Sequence, residues 1–147
     1  MHLFLDYDGV LHPYGTEAFD EDFKLLSNPA LFCWIPVLAD ILRPHPTVKI
    51  IVSSDWRRLY DDITLAKLLG VELGARLDGV VETYNSDRAH EIRTEAARRN
   101  LTRWLAVDDH SSVRAARCKD PRFIWCDPAT GLSNPDVQLE LARKLAS

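Results

Sequence analysis

The 147-residue chain is long enough for one folded domain with a real core, and its 46% hydrophobic and 27% charged residues are ordinary for a globular protein. A net charge of −4 argues against an extended nucleic-acid groove driven by counterion release, and no apolar run approaches membrane-spanning length. The charge is uneven: residues 1–47 hold seven acids against two bases, whereas residues 86–122 hold six acids against nine bases. That pattern favours an anionic substrate.

Leu3, Phe4 and Leu5 form a short apolar run of the kind that fits a strand buried on both faces, and it ends abruptly in Asp6 and Asp8. Two carboxylates then stand where a buried strand meets solvent, with Gly9 letting the backbone turn away beside them. Acids so close repel unless a cation or proton intervenes. The plainer reading is an acidic turn capping a strand; the sharper one is a metal-assisted nucleophilic site.

Tyr14 to Leu31 mixes Gly15, an acidic cluster and Asn28-Pro29, and reads as an irregular segment or flap. Ile35 to Leu42 has helical spacing, with Pro36 at the first helical position and Pro44 and Pro46 beyond its end. Val48 to Val52 is a β-branched strand running into Ser53, Ser54, Asp55 and Trp56. Leu59 to Leu69 reads as a helix closed by Gly70, Val80 to Tyr84 as a short strand, and Asp87 to Asn100 as a helix capped by Asn85 or Ser86. Trp104 to Val107 is another strand, and it too ends in acids, Asp108 and Asp109. Phe123 to Cys126 makes a fifth strand, and Ser133-Asn134-Pro135-Asp136 opens a helix whose Val137, Leu141 and Leu145 recur every four residues.

Cys33, Cys118 and Cys126 are odd in number and show no zinc-binding spacing, so they are expected to be reduced core or near-core thiols. The N-terminus has no basic segment ahead of a long apolar stretch, and the expected location is the cytoplasm.

Strands alternating with helices imply a mostly parallel sheet with helices on both faces: a three-layer Rossmann-like α/β fold spanning residues 1–147 as one domain. Ligands bind such sheets at the carboxyl ends of the strands. That rule gathers four sequence-distant clusters into one place: Asp6 and Asp8, Ser53 and Ser54, Arg88, and Asp108 with Asp109. Each cluster alone has a plain explanation, since serines start helices, arginines cover solvated faces, and Asp108-Asp109 can cap a following helix. Four strand-end coincidences are harder to dismiss.

With those residues in view, the chain resembles the haloacid dehalogenase (HAD) superfamily of phosphatases and phosphotransferases over nearly its whole length, most specifically in Asp-x-Asp-Gly-Val after the opening strand. The resemblance implies a nucleophile at Asp6 and a general acid/base at Asp8. It puts Ser54, or else Ser53, in the phosphate-binding position, and Asp108 and Asp109 beside Asp6 and Asp8 in a magnesium site. The basic position usually held by lysine falls on Arg88. The physical account agrees: a cation must neutralise both the phosphate ester and the attacking carboxylate, and magnesium suits oxygen ligands.

Residues 12–47 leave too little chain for a separate cap domain, which implies an open site. Cap-less relatives of this kind often act on bulky substrates, and similar small domains occur in RNA repair contexts. A phosphorylated small molecule and a polynucleotide end are both left open as substrates, with no membrane and no obligate protein partner expected. Trp56, Arg57 and Arg58 can offer a base-stacking surface with phosphate contacts; equally, Trp56 can be core and the arginines a solvated helix start. The alternative to a magnesium-dependent phosphatase with an aspartyl-phosphate intermediate is a catalytically weak or receiver-like phosphate-binding module. Receiver order, with its acidic pair after the first strand and its phosphorylated Asp mid-chain, fits less well.

Overall fold

A computed structural model describes residues 1–147. Five short strands form one parallel sheet: β1 (His2–Leu5), β2 (Lys49–Val52), β3 (Leu77–Val80), β4 (Trp104–Asp108) and β5 (Phe123–Trp125), in the order β3-β2-β1-β4-β5. The helices are α1 (Ile35–Leu42), α2 (Asp62–Gly74), α3 (Arg88–Arg98), α4 (Ser111–Ala116) and α5 (Pro135–Ala146).

Alternation along the strands divides the core into two layers. Leu3, Leu5, Ile50, Val52, Leu105, Val107 and Ile124 pack with Leu38 and Leu42 of α1, Leu65 and Leu69 of α2, and Leu141 and Leu145 of α5. Phe4, Ile51, Trp104, Ala106 and Phe123 pack with Ala89, Ile92 and Ala96 of α3 and Val113 of α4. Both faces are covered, as the continuous apolar strands require. Truncating a fully buried leucine such as Leu38 to alanine would cost about 2–5 kcal/mol through lost burial and the cavity left behind.

The sheet places the site. The chain adds β2 and β3 on one side of β1, then crosses to add β4 and β5 on the other, so the winding reverses between β1 and β4. Leu5 is in register with both Val52 and Val107, which brings Asp6, Ser53 and Asp108 to the same edge.

Several elements differ from expectation. The third strand is Leu77–Val80, earlier than Val80 to Tyr84. Its Asp78-Gly79 looks unlike a strand, but it lies at the sheet edge, where His2 Nε2 meets the Asp78 carboxylate at 2.9 Å and Arg99 donates to the Asp78 carbonyl. Gly79 takes φ 104°, and the pairing with β2 shifts register between Ile50 and Val52. Helix α2 begins at Asp62 rather than Leu59, because the Asp61 carboxylate accepts from the Thr64 amide and caps it. Gly70, at φ 84°, breaks the helix where closure is expected, and a further turn carries on to Gly74. The cap of α3 is Asp87, not Asn85 or Ser86, since its side chain accepts from the His90 amide. Residues 14–31 carry only turns and one antiparallel bridge, Phe19 to Leu25. Of the cysteines, Cys126 is buried, but Cys33 and Cys118 are exposed; all three are free. No helix is long and apolar enough to cross a membrane.

Candidate active site

Just past the ends of β1 and β4, a cavity of about 230 Å³ is lined by Asp6, Asp8, Tyr14, Asp55, Arg88, Asp108, Asp109 and His110. Asp6 follows β1 directly and is 5% exposed, while Asp108 closes β4 and is fully buried. Their carboxylate oxygens and that of Asp109 lie within 4.8 Å of one another. Gly9 permits this proximity. It adopts φ 74°, and a Cβ there would stand 2.2 Å from Asp109 Oδ2, so any side chain would push into the acid cluster.

Arg88, the first residue of α3, reaches back over the cluster. Its guanidinium donates to Asp108 Oδ2 at 3.0 Å and lies 3.6 Å from Asp6 Oδ1, 3.2 Å from Asp55 Oδ1 and 3.2 Å from Glu91 Oε1. Burial works against its charge, but Asp108, Asp6, Asp55 and Glu91 outweigh that and hold the guanidinium firmly protonated. Burial pushes the Asp6 carboxyl well above the usual carboxylate range, opposed by Arg88 and reinforced by Asp109 and Asp8. Asp108 is pushed up to about 7 by burial and by Asp6, and Asp109 to about 6 chiefly by burial. Three close carboxyl groups, oxygen donors only, all uneasy as anions, are the donor set a hard divalent cation fits.

The Asp8 side chain takes another direction. His12 Nε2 lies 2.8 Å from its Oδ1, and Trp56 Nε1 donates to its Oδ2 at 2.7 Å. The side chain thus groups with His12 and Glu17 and not with the three acids, leaving its backbone carbonyl for any part in the cation site.

The serines also differ from each other. Ser54 Oγ accepts from the Trp56 amide at 3.2 Å and caps a single 3-10 turn, Asp55–Arg58. Ser53 Oγ is buried without any hydrogen-bond partner. Neither serine lines the cavity, so the structure brings together five of the seven residues singled out in the sequence.

Trp56 follows the core reading of that stretch, whereas Arg57 is neither a phosphate contact nor part of a solvated helix start. Trp56 is 2% exposed, packed among Tyr7, His12, Phe32 and Tyr60, and cannot stack on a base. Arg57 is buried and spends its donors on the carbonyls of Ser53, Ser54, Val81 and Thr83 and on Glu91 Oε2, at 2.6 Å. Glu91 joins Arg57 to Arg88, so the loop after β2, the loop after β3 and the start of α3 form one braced unit. Only Arg58 is half exposed, stacked 4.2 Å above the Tyr84 ring.

Sequence reasoning assigned no role to Asp55, His110, Tyr14, His12 or Glu91. Asp55 and His110 directly follow strand-end residues already singled out and were open to the same rule. His12 and Glu91 carried no such signal: His12 stands in a loop and is fixed by Phe32, twenty residues on, while Glu91 and Arg88 look like an ordinary helix-surface pair.

A family model described as the HAD domain in Swiss Army Knife RNA repair proteins matches residues 2–137. Neither the curated proteins nor the solved structures include a match to the chain.

Proposed function

The chain belongs to the HAD domains of Swiss Army Knife RNA repair proteins, a HAD-type hydrolase family, and from that premise we propose that it is a magnesium-dependent phosphoester hydrolase working through an aspartyl phosphate. The observation that carries the reading is Asp6 and Arg88 facing each other at the junction of β1 and β4, with Asp108 and Asp109 alongside.

Asp6, Asp108 and Asp109 would hold the ion, which when bound offsets the charge of these acids and of the substrate's phosphoryl oxygens. Arg88 binds phosphoryl oxygens on the other side; its planar fork suits that task, and its ion pairs keep it oriented. An Asp6 oxygen attacks phosphorus, the ester P–O bond breaks, and its electron pair stays on the leaving oxygen, which takes a proton from Asp8. Water then attacks phosphorus, the bond to Asp6 breaks to restore the carboxylate, and Asp8 takes the proton that water releases.

For the substrate, a phosphorylated RNA or DNA end is the preferred class. The family description speaks of RNA repair, the cavity has no cap above it, and its rim offers Tyr14, 70% exposed, with the Arg58–Tyr84 stack nearby. We also propose the cytoplasm as its location, since three free cysteines suit a reducing compartment.

The test is rapid quench with an aryl phosphate followed by intact-mass measurement. Asp8→Asn should accumulate a phosphoryl adduct on Asp6, and Asp6→Asn should show none. An adduct mapped to Asp108 or to a serine would move the nucleophile, and full turnover in Asp6→Asn would refute the mechanism.

A further inference from the structure

Asp8 belongs to the cavity wall, yet what fixes it lies behind the wall. His12 is fully buried and Trp56 nearly so, and neither lines the cavity. The Phe32 amide donates to His12 Nδ1 at 3.2 Å, and an imidazole accepting at Nδ1 carries its hydrogen on Nε2. It is therefore Nε2–H that donates to Asp8 Oδ1, while Trp56 Nε1–H, which can only donate, meets Oδ2.

Both donors are rigid. The Gly9 amide donates to the His12 carbonyl at 2.9 Å, closing a tight turn, and the His12 ring meets Phe32 edge-on at 5.0 Å. Trp56 is set by the Ser54 cap and by the surrounding aromatic rings. The other acid facing His12 is Glu17, 3.8 Å from Nε2 and too far to compete for the hydrogen.

We infer that His12 is a positioning residue for proton transfer: together with Trp56 it holds the Asp8 carboxyl against the cavity, apart from the Asp6, Asp108 and Asp109 cluster. Each Asp8 oxygen keeps a second lone pair, so the group can carry the proton and take it back without leaving the clamp. Without it, Asp8 is free to rotate toward its neighbours, and the geometry that general acid catalysis demands is lost. This rests on the hydrolase reading above.

Leaving-group dependence tests it. An alkyl phosphate, such as glycerol phosphate, needs its leaving oxygen protonated, whereas nitrophenyl phosphate needs little help. His12→Leu should lower kcat on the alkyl ester by roughly 10- to 100-fold, and on the aryl ester only a few-fold, with KM little changed. His12→Gln, whose side-chain amide can donate to Asp8, should recover most of the difference. Trp56→Phe, which keeps the packing and loses the N–H, should shift the ratio in the same direction. Equal losses on both esters, or an unchanged ratio in both His12→Leu and Trp56→Phe, would overturn the positioning role while leaving the hydrolase reading intact. Wild-type protein inert toward both esters would overturn that reading, and this one with it.

Discussion

The Arg88 guanidinium donates to Asp108 across 3.0 Å, tying the first residue of α3 to the last residue of β4, with the Asp6 carboxylate 3.6 Å away. One cation therefore serves acids from the end of β1, the turn after β2, helix α3 and the end of β4. Arg88→Ala should abolish turnover and cost about 3–5 kcal/mol in a urea melt, because it leaves the fully buried Asp108 without its cationic partner, while Glu91 keeps Arg57. Arg88→Lys keeps a charge but offers one ammonium where the fork reaches Asp108, Asp55 and Glu91 together. It should retain reduced, measurable turnover. Undiminished activity in Arg88→Ala would remove Arg88 from the site.

The strands β1, β2, β4 and β5 were legible because each is an apolar run with no face to spare for water, and their ends pointed to the acids. β3 was not, since Asp78 and Gly79 are tolerated only through partners from elsewhere, His2 and Arg99. The same limit applies within the site. Asp6, Asp108 and Asp109 announce themselves by position, whereas the bond from Trp56 to Asp8 exists only once two distant loops meet. Glu91 sits in a polar helix and would pass for a surface acid, yet it is 1% exposed because two arginines surround it.

Removing the cation should expose the strain among the acids. The Asp108 carboxyl goes from an ordinary value of 3.8 to about 7, and Asp109 to about 6, so in the absence of a cation the folded state binds more protons than the unfolded one between these limits. Their contribution to stability is fully present below the ordinary value and is lost as pH rises through about 6 to 7. A bound divalent cation takes the protons' place, so the rise in Tm on adding magnesium to EDTA-treated protein should be larger at about pH 8 than at about pH 5. Thermal melts with and without magnesium measure this directly. An equal shift at both pH values would detach the cation from Asp108 and Asp109.

Gly9→Ala should reach the same acids by another route. The φ of 74° costs about 1–2 kcal/mol for a residue with a Cβ, and that Cβ would meet Asp109 Oδ2 at 2.2 Å. The Asp109 carboxylate has to swing away. Turnover should fall at least as sharply as stability, and the magnesium-induced rise in Tm should shrink. A variant that loses stability but keeps the full magnesium response would show that Asp109 is not part of the cation site.

The two serines after β2 separate phosphate binding from folding. Ser54 Oγ is spent on the Trp56 amide, so Ser54→Ala removes a cap and should cost about 0.5–2 kcal/mol. Ser53 Oγ has nothing to lose in the fold, being buried with no partner, and replacing an unsatisfied buried hydroxyl by a methyl-sized side chain is neutral or stabilising. Of the two hydroxyls only that of Ser53 has no partner to give up, so a phosphoryl contact from this loop calls for Ser53 and for a shift that brings it from behind the cavity wall. The Arg57 bond to the Ser53 carbonyl at 2.7 Å holds the backbone that carries it. Ser53→Ala is expected to melt no lower than wild type while its kcat/KM for any phosphoester falls tenfold or more, corresponding to about 1.4 kcal/mol of lost transition-state binding. Ser54→Ala is expected to do the reverse, melting lower with kcat/KM nearly unchanged. If the two variants exchange these phenotypes, the phosphate contact belongs to Ser54, and its cap must open when substrate binds.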